Sequence, residues 1–510
     1  RNPNAANGFI EYRTFKNIDI IQGIGVGGGS LHYFNVHKQA PEFIFDLPAW
    51  PSAINLKALS PYYQLTADML AANTISNTND RDIPRRTQVF EDAVNSIGLK
   101  AERVPICVHL NNKQSNESSD SKPTCDHCGN CLLGCHVHAK NTLDLNYIAL
   151  AEAHGAVVFP QHEALNITPD AKGYRVSCRD LSTPPADEPS SALREFHAQQ
   201  VIVAAGTLGS NELLLRCKYQ SKTLPRISHK LGQGFSGNGD FLLAGTHYKS
   251  RIVEPGRGPS ITSGIGFTKD NKQYIYIEDL GLPDPFIWYF NNMIPTWGRV
   301  RQSVQQVKCY LSEAFGTGLN FQMGALLDQG FMTNFLPYLG MGTDAADGKL
   351  HLDKQGNIRV QWSIKQSLPM FNDMIQHMKN LSTSSGGRFI NSLLWETQLF
   401  KLPFHKTLTA HPLGGCAMSD TPLNGVTNDC GEVWGYKGLY VADGALMPAS
   451  IGVNPSATIS AVAERVAFQM IHQRELQLDD ALCPSNLFKS LPTKIKTRNS
   501  SEDQQTELNS

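Results

Sequence analysis

The alternation of apolar and polar residues along the chain predicts a mixed α/β protein. Apolar residues recur at helical spacing in residues 458–469 and over much of residues 41–99, where Pro61 is expected to open a helix. Residues 143–154 are predicted to form a further helix. Short apolar or alternating runs predict strands at residues 156–159, 173–178, 200–203, 274–278, 349–353 and 357–362.

One of these runs changes its period at a glycine. The apolar strand at residues 200–203 leads into Gly206, and Leu213 to Leu215 lie in the helix that follows. A strand, a glycine and a helix in this order are typical of a doubly wound sheet, although any buried βα unit shows the same pattern. Four glycines in residues 231–240 predict tight turns rather than a packed element. The sequence beyond them has the pattern of an antiparallel β domain.

Length and composition limit the number of domains, the classes of partner and the location that we expect. The chain has 510 residues, 41% of them hydrophobic and 42 of them glycine, which suffices for one large domain or two interleaved domains. Its net charge of -1 gives no reason to expect nucleic acid or an acidic membrane surface as a partner. No apolar run approaches the roughly 20 residues of a membrane-spanning helix. Of 11 cysteines, four lie between Cys125 and Cys135, which disfavours a disulfide framework and favours a reducing, cytoplasmic location.

A glycine-rich run follows the apolar residues 18–21. Gly25, Gly27, Gly28 and Gly29 precede Ser30 in a loop where the backbone can approach a ligand closely and present N–H groups to phosphate. A flexible linker is the alternative, but the flanking residues are apolar rather than polar. The run therefore predicts a ligand-binding loop.

Three motifs near the end of the chain carry the candidate chemistry. They are His411-Pro412-Leu413-Gly414-Gly415-Cys416, Leu439-Tyr440-Val441-Ala442-Asp443-Gly444 and Gly452-Val453-Asn454-Pro455-Ser456-Ala457-Thr458. Together they predict a strand, a tight turn and a helix N-terminus, whose free N–H groups suit a phosphate or an electron-rich ring. A neutral His411 can take a proton from an alcohol, and Asn454 can donate or accept a hydrogen bond without changing charge. A core histidine and a helix-capping asparagine are the alternative from residue type alone.

These motifs closely resemble the C-terminal signature of the glucose-methanol-choline (GMC) flavin oxidoreductases, and the His411/Asn454 pairing is most similar to their cholesterol-oxidase branch. The resemblance covers most of residues 10–470. It implies FAD as cofactor and oxidation of an alcohol to a carbonyl, with hydride transfer to the flavin and oxygen or another electron acceptor. His411 would act as base or hydrogen-bond partner for the substrate hydroxyl, and Asn454 would help to hold the substrate oxygen.

The resemblance also implies a fold. A doubly wound, Rossmann-like FAD-binding domain would be interleaved with an α+β substrate domain built on a mostly antiparallel sheet. The expected segments are 1–40, remainder of the N-terminal FAD-binding segment; 41–139, helical cover of the flavin with the cysteine run; 140–243, second FAD-binding segment; 244–405, substrate domain; 406–475, C-terminal FAD and catalytic segment; 476–510, disordered tail. The residues placed against FAD are Gly25, Gly27, Gly28, Gly29, Ser30, Asn35, Ala205, Gly206, Asp443, Gly444, Asn454, Pro455 and Ser456.

The family's strand–turn–helix dinucleotide fingerprint is not found among the first residues, and residue 1 is Arg. We expect the chain to lack an N-terminal segment of its relatives. Cholesterol oxidases also have a carboxylate that moves a proton during double-bond isomerisation, and its place falls near Glu278 and Asp279. The surrounding motif does not match, so both are expected to be exposed acids at a strand end.

A bulky apolar alcohol such as a sterol, and hence a role in steroid or lipid metabolism, is the first expectation for the substrate. It is supported by aromatic residues and methionines in the substrate domain, which are also common in an ordinary core. These residues are Phe286, Trp288, Tyr289, Phe290, Met293, Phe321, Met323, Phe331, Met332, Phe335 and Tyr338.

The spacing Cys125-x2-Cys128-x2-Cys131-x3-Cys135 matches a bacterial ferredoxin half-site and leaves an iron–sulfur electron-transfer protein open as an alternative function. Against a cluster, His136 stands where ferredoxins have proline, and no second cysteine run follows. GMC relatives carry a Cys- and Gly-rich segment here without a cluster being implied. Buried structural thiols are therefore expected, with no bound metal.

Overall fold

The computed structural model describes residues 8–75, 83–110, 123–182, 193–269, 273–287, 330–392, 395, 397–399 and 402–472. The α-helices are α1 Leu56–Met69, α2 Arg85–Asn95, α3 Tyr147–Ala153, α4 Gly206–Leu215, α5 Gly330–Thr333, α6 Leu368–Ser384 and α7 Ser456–His472. The strands are β1 Ile10–Thr14, β2 Ile18–Gly23, β3 Glu102–Arg103, β4 His162–Asp170, β5 Gly173–Asp180, β6 Leu193–Ala198, β7 Val201–Val203, β8 Gln233–Ser236, β9 Phe241–His247, β10 Ser263–Lys269, β11 Gln273–Asp279, β12 Phe335–Gly342, β13 Gly348–Leu352, β14 Ile358–Gln361, β15 Arg388–Ile390, β16 Thr397–Leu399, β17 Leu402–Phe404, β18 Thr407–Thr409, β19 Leu413–Gly415 and β20 Leu439–Val441.

A six-stranded sheet in the order β15-β9-β12-β11-β10-β3 forms the antiparallel part of the fold. Helix α6 packs on it through the buried side chains of Met370, Met374 and Met378. These side chains fit because β12 carries Gly340 and Gly342 opposite them, and a Cβ at either glycine would clash with a methionine sulfur. The mostly antiparallel sheet predicted from the sequence is present.

The parallel part is built from two distant segments. Strands β7 and β20 pair in parallel, with Val201 opposite Leu439 and Val203 opposite Val441. Helix α4 leaves β7 at Gly206, as the change of period predicts, and strands β4, β5 and β6 form an antiparallel sheet beside it. The fold is thus mixed α/β with antiparallel sheets, as expected.

Two further sheets join segments that are far apart in sequence. Strands β14-β13-β8-β19 form one, and β1-β2-β18 form the other, in which β18 runs parallel to β2. The predicted hairpin of β13 and β14 across Gly356 is confirmed, and Gly356 has a positive φ of 82°. The turns predicted for residues 231–240 are present at residues 231–232 and 238–239, but strand β8 lies between them and buries Phe235 completely.

Two other expectations for local structure are wrong. Helix α1 begins at Leu56, where the Asn55 side chain accepts a hydrogen bond from the Ala58 N–H, so Pro61 lies inside the helix instead of opening it. Residues 156–159 form no strand and are largely exposed, since the chain pairs only from His162 onward.

The predicted helix at residues 458–469 is confirmed and extended as α7. Much of the aromatic and methionine stretch, most of the loops at residues 111–123 and 182–191, and the tail lie outside the described residues. Among the helices that the structure does describe, none is both long and apolar enough to cross a membrane.

Candidate active site

His411 is held at one ring nitrogen by a buried carboxylate. The His411 Nδ1 atom lies 2.9 Å from Oδ1 of Asp240, whose side chain is fully buried, whereas 17% of the histidine side chain remains exposed. A carboxylate can only accept, so Nδ1 carries the proton and Nε2 of the neutral ring is left as an acceptor. The ring is therefore oriented and prepared to take a proton at Nε2.

The other oxygen of Asp240 fixes the carboxylate itself. Oδ2 of Asp240 accepts hydrogen bonds from the Thr409 hydroxyl at 2.8 Å and from the Ala410 N–H at 3.0 Å. The Thr409 hydroxyl oxygen also accepts from the His411 N–H at 2.9 Å. These contacts bind the end of β18 to the turn between β8 and β9, and they leave Asp240 no freedom to rotate.

Asn454 lies against a second buried acid. Its Nδ2 donates to Oε2 of Glu278 at 3.1 Å, and both residues are buried. Burial raises the pKa of Glu278 well above its usual range, although the hydrogen bond from Asn454 opposes the shift. Within the described part of the chain, Oε1 of Glu278 and Oδ1 of Asn454 have no hydrogen-bond partner.

The placement of Glu278 and Asp279 corrects the expectation of two exposed acids. Strand β11 is central in the six-stranded sheet, so both carboxylates are fully buried and point to opposite faces. Asp279 pairs with Arg86 of α2 at 3.0 Å and accepts the backbone N–H groups of Thr262 and Ser263. Its polar atoms are therefore used in packing, and only Glu278 faces the candidate site.

A single turn connects the two acid-containing pairs. Asn238 donates through Nδ2 to the Val453 carbonyl at 2.8 Å and accepts at Oδ1 from the N–H groups of Ile451 and Gly452 at 2.9 Å. Asp240, two residues later, holds His411. The same turn thus positions the loop before Asn454 and the imidazole of His411, and Asp240 lies within electrostatic range of Glu278.

A second group of predicted residues surrounds Asn35 and the start of α7. The Ser456 hydroxyl donates to the carbonyl of Val36 at 2.7 Å, which brings the helix N-terminus after Pro455 next to Asn35. Asn35 is fully buried and has a left-handed φ of 70°. Neither polar atom of its carboxamide has a hydrogen-bond partner among the described residues.

A third group lies where β7, β20 and α4 meet. Asp443 accepts the Ser210 hydroxyl, the Ala445 N–H at 2.8 Å and the Gly206 N–H. Burial raises the pKa of Asp443 above its usual range, and these donors oppose the shift. Ala205 immediately precedes Gly206, and Gly444 packs so closely on Thr207 that a Cβ would come within 2.9 Å of its hydroxyl.

Thr207 also connects this group to the loop that carries His411, since its hydroxyl donates to the Pro412 carbonyl at 2.6 Å. The glycine-rich loop is stabilised separately. The Ser30 hydroxyl donates to the Gly27 carbonyl at 2.6 Å and accepts the Leu143 N–H at 2.9 Å. Gly25, Gly27 and Gly28 all have positive φ, which explains why glycine is needed there.

These groups fit the flavin that the resemblance implies. A ring system with carbonyl and N–H groups suits the unpaired carboxamide of Asn35, and the α7 N-terminus beside it favours electron-rich or anionic atoms. A Cβ added at Gly28, Gly29 or Gly206 would meet no atom within 4 Å, so the backbone at these positions is open to a ligand. The Asn35 region, the glycine-rich loop and the Gly206 region can therefore each contact FAD.

Sequence analysis did not identify Asp240 as the partner of His411, and it took Glu278, the partner of Asn454, for an exposed acid. The Ser236-Gly237-Asn238-Gly239-Asp240 run contained a usable indication. Three hydrogen-bonding side chains between glycines suggest more than a simple turn.

Comparisons with known proteins agree with this geometry. Two family models, both described as GMC oxidoreductase, match residues 13–234 and 346–463. A cholesterol oxidase of Acinetobacter baumannii is 28% identical over 90% of this chain and 83% of its own length. A cholesterol oxidase of Mycobacterium tuberculosis is also 28% identical, over 90% of this chain and 80% of its own length.

Other proteins are less similar in sequence, and some of them are solved structures with a similar fold. A long-chain-alcohol oxidase of Arabidopsis thaliana is 20% identical over 89% of this chain, which spans 58% of that protein. Among solved structures, pyridoxine 4-oxidase from Mesorbium loti has a TM-score of 0.58 at 14% identity, covering 92% of this chain and 91% of that one. A fungal aryl-alcohol oxidase has a TM-score of 0.57 at 13% identity, covering 93% and 91%.

Proposed function

This chain belongs to the GMC oxidoreductase family and is an FAD-dependent enzyme that oxidises alcohols, and we propose that its substrate is a sterol. The observation that carries the proposal is the pairing of two devices, Asp240 with His411 and Glu278 with Asn454. Oxidation of an alcohol needs Asp240, His411 and Asn454, but it does not need the acid at Glu278. A second buried acid beside the same site suits a substrate whose carbon skeleton also exchanges a proton.

The first device acts on the hydroxyl group. Nε2 of His411 accepts the hydroxyl proton, because Asp240 keeps the proton of the neutral ring on Nδ1. The single hydroxyl proton points at His411, so the second N–H of the Asn454 carboxamide, which Glu278 does not use, donates to the substrate oxygen and orients it. FAD, when bound, supplies the hydride acceptor for the carbinol carbon. Asn35, Gly206, Asp443 and the N-terminus of α7 would hold it.

The second device acts on the product. Oxidation of a sterol with a 5,6 double bond gives a β,γ-unsaturated ketone, whose α-proton is acidic. Glu278 in its carboxylate form removes that proton and returns it at the γ-carbon, which moves the double bond into conjugation. Its raised pKa makes the carboxylate a stronger base than an exposed glutamate, while fewer molecules carry the charge at neutral pH.

Anaerobic reduction of the flavin tests the substrate. Cholesterol is expected to bleach the flavin absorbance at a rate at least about tenfold above that of a straight-chain primary alcohol, and to give a conjugated enone by ultraviolet absorbance. His411→Ala is expected to slow reduction by roughly 10²- to 10⁴-fold without loss of flavin. Faster reduction by the straight-chain alcohol would overturn the sterol assignment, and unchanged reduction by the variant would overturn the role of His411.

A long-chain alcohol is the second candidate. It is favoured by several relatives named long-chain-alcohol oxidase, at 19% to 21% identity over 86% to 89% of this chain. The aldehyde formed from a saturated long-chain alcohol has no β,γ double bond to move into conjugation, so Glu278 would have no isomerisation to catalyse. The product of the cholesterol experiment separates the two candidates.

A further inference from the structure

Four cysteines remain unused by the proposed alcohol oxidation. We propose that Cys125, Cys128, Cys131 and Cys135 bind a four-iron, four-sulfide cluster. Their spacing matches a ferredoxin half-site. In two-cluster ferredoxins the fourth cysteine of such a run serves the other cluster, so a single cluster here requires Cys135 to return toward the first three.

The chain makes that return. Cys131–Leu133 form a single 3-10 turn, and Gly134 follows with φ of 110° and ψ of -178°. A residue with a Cβ rarely adopts this conformation, so the reversal depends on glycine. Cys125 accordingly lies within electrostatic range of the other three thiols, Cys128, Cys131 and Cys135. All four thiols therefore lie close together on one short loop.

The loop is also anchored at both ends. The Cys125 N–H donates to the His109 carbonyl at 2.9 Å, and the His109 N–H donates to the Ala139 carbonyl at 2.8 Å. The carbonyl of His127, within the loop, accepts the Gly258 N–H at 2.9 Å. The four thiols are thus carried on a loop of fixed shape, as the binding of one cluster by four ligands requires.

Backbone N–H groups in this loop are directed at sulfur. The His127 N–H donates to Sγ of Cys125 at 3.4 Å, and the Asn130 N–H donates to the sulfur of Cys128. Each donor lies two residues after its cysteine. Such N–H···S bonds would stabilise the negative charge that sulfur carries when it binds iron.

A buried cation lies where it can balance that charge. Lys140 is 2% exposed, and its ammonium donates to the carbonyls of Leu31 at 2.8 Å and Cys131 at 2.9 Å. A buried ammonium requires compensation by an anion, and the Asp144 carboxylate also lies within electrostatic range of it. Four thiolates around an iron–sulfur core carry net negative charge, and Cys131 and Cys135 both lie within electrostatic range of Lys140. The contact with Leu31 also sets this site beside the glycine-rich loop.

A mononuclear zinc site competes for one of the ligands. Ligand atoms of Asp126, Cys128 and His136 all lie within 4.8 Å of one another. Structural zinc takes four ligands, usually with several thiolates, whereas this set has one thiol and an exposed ion pair of 3.0 Å between Asp126 and His136. It would also leave Cys125, Cys131 and Cys135 without a function, so the four-cysteine set is favoured.

Metal and sulfide analysis of the FAD-loaded, full-length chain, purified anaerobically, tests the cluster. We expect about four iron and about four acid-labile sulfide per flavin, and an electron paramagnetic resonance signal after dithionite reduction. Cys125→Ser and Cys131→Ser should each lower iron to less than about one-tenth of that content. Cys430→Ser changes a partly exposed cysteine far along the chain and should keep all of it.

If the variants fail to fold, the wild-type protein alone still tests whether the cluster is bound. Iron below about one-tenth of the flavin content, both as purified and after anaerobic reconstitution with ferrous iron and sulfide, would overturn the proposal. Stoichiometric zinc in place of iron would overturn it as well. None of these readouts depends on the identity of the alcohol, so failure of the cluster and failure of the sterol proposal are distinguishable.

Discussion

Oδ1 of Asp240 lies 2.9 Å from Nδ1 of His411, although the two residues are 171 positions apart in the sequence. Both oxygens of Asp240 accept hydrogen bonds, the second from the Thr409 hydroxyl and the Ala410 N–H. Only an all-acceptor side chain satisfies this set of donors. The identity of residue 240 therefore dictates the tautomer of His411.

Asp240→Asn is expected to reverse that tautomer. The Ala410 N–H can only donate, so the carbonyl oxygen of the asparagine must face it and the amide NH₂ must face His411. Nδ1 then becomes the acceptor, Nε2 carries the proton, and the alcohol loses its base. The flavin reduction rate should fall by roughly 10²- to 10⁴-fold, with FAD content unchanged.

The matched control for this variant is Asp373→Asn, which removes a partly exposed carboxylate paired with Lys269 and should leave the rate within about twofold. A rate for Asp240→Asn within threefold of wild type would show that the carboxylate does not set the tautomer.

Glu278→Gln is expected to separate the two proposed reactions. Glutamine keeps an acceptor for Nδ2 of Asn454, so alcohol oxidation should change only a few-fold. It cannot shuttle a proton, so isomerisation should fall by at least about 10²-fold and the unconjugated ketone should accumulate. Because burial raises the pKa of Glu278, the wild-type ratio of isomerisation to oxidation should rise with pH. A flat ratio, or a conjugated product from the variant, would contradict the assignment.

The same acid makes a prediction about stability. The folded-state pKa of Glu278 is raised above its unfolded value, so its contribution to stability is fully present below that unfolded value and is lost as pH rises toward the folded pKa. Glu278→Gln abolishes this loss. The Tm of the variant relative to wild type should therefore increase between pH 4 and pH 8 in thermal scans, by roughly 1 °C per kcal/mol for a chain of this length. A difference independent of pH would be inconsistent with a buried, titrating carboxyl.

Asn35→Gly tests the flavin site without backbone strain. Glycine accepts the left-handed φ of 70° at this position and removes only the carboxamide, whose polar atoms have no partner among the described residues. Loss of its hydrogen bonds to FAD should weaken FAD binding by about 10- to 100-fold, equivalent to about 1.4–2.8 kcal/mol. Fluorescence titration of apoprotein with FAD measures the affinity.

Ala71→Gly is the control, since Ala71 is exposed and has a φ of 48°. It reproduces the added freedom of the unfolded chain without touching the site, and it should bind FAD like wild type. Equal affinity of Asn35→Gly and wild type would remove Asn35 from the flavin site.

The fold was predictable from the sequence wherever a short pattern of apolar residues and glycines corresponds directly to a strand, a turn or a helix start. The strand before Gly206 is apolar throughout and pairs in parallel with β20, and its change of period at Gly206 marks the start of α4. The hairpin at Gly356 was equally visible, because a positive φ requires a residue such as glycine. Both features are recorded within ten residues of sequence.

The burial of the acids at the site could not be predicted from such short patterns. Glu278 and Asp279 adjoin each other at the end of an alternating run, a pattern that normally indicates an exposed strand end. Their burial follows from the central position of β11 and from α2, which brings Arg86 to Asp279 from a distant segment. Asp240 was hidden for the same reason, since its partner lies in another segment.

The buried pair of Arg86 and Asp279 should contribute strongly to folding. Arg86 also donates to the carbonyls of Arg257 and Pro259, at 3.0 Å and 2.7 Å, so Arg86→Met leaves an unpaired carboxylate and two unsatisfied carbonyl oxygens. The free energy of unfolding should fall by about 3–5 kcal/mol in denaturant titrations. Arg359→Met breaks a pair with Asp353 in which the arginine is 54% exposed, and it should cost less than about 1 kcal/mol. Equal losses for the two variants would show that the buried pair is no more than a packing contact, and that β11 is positioned by its strand neighbours alone.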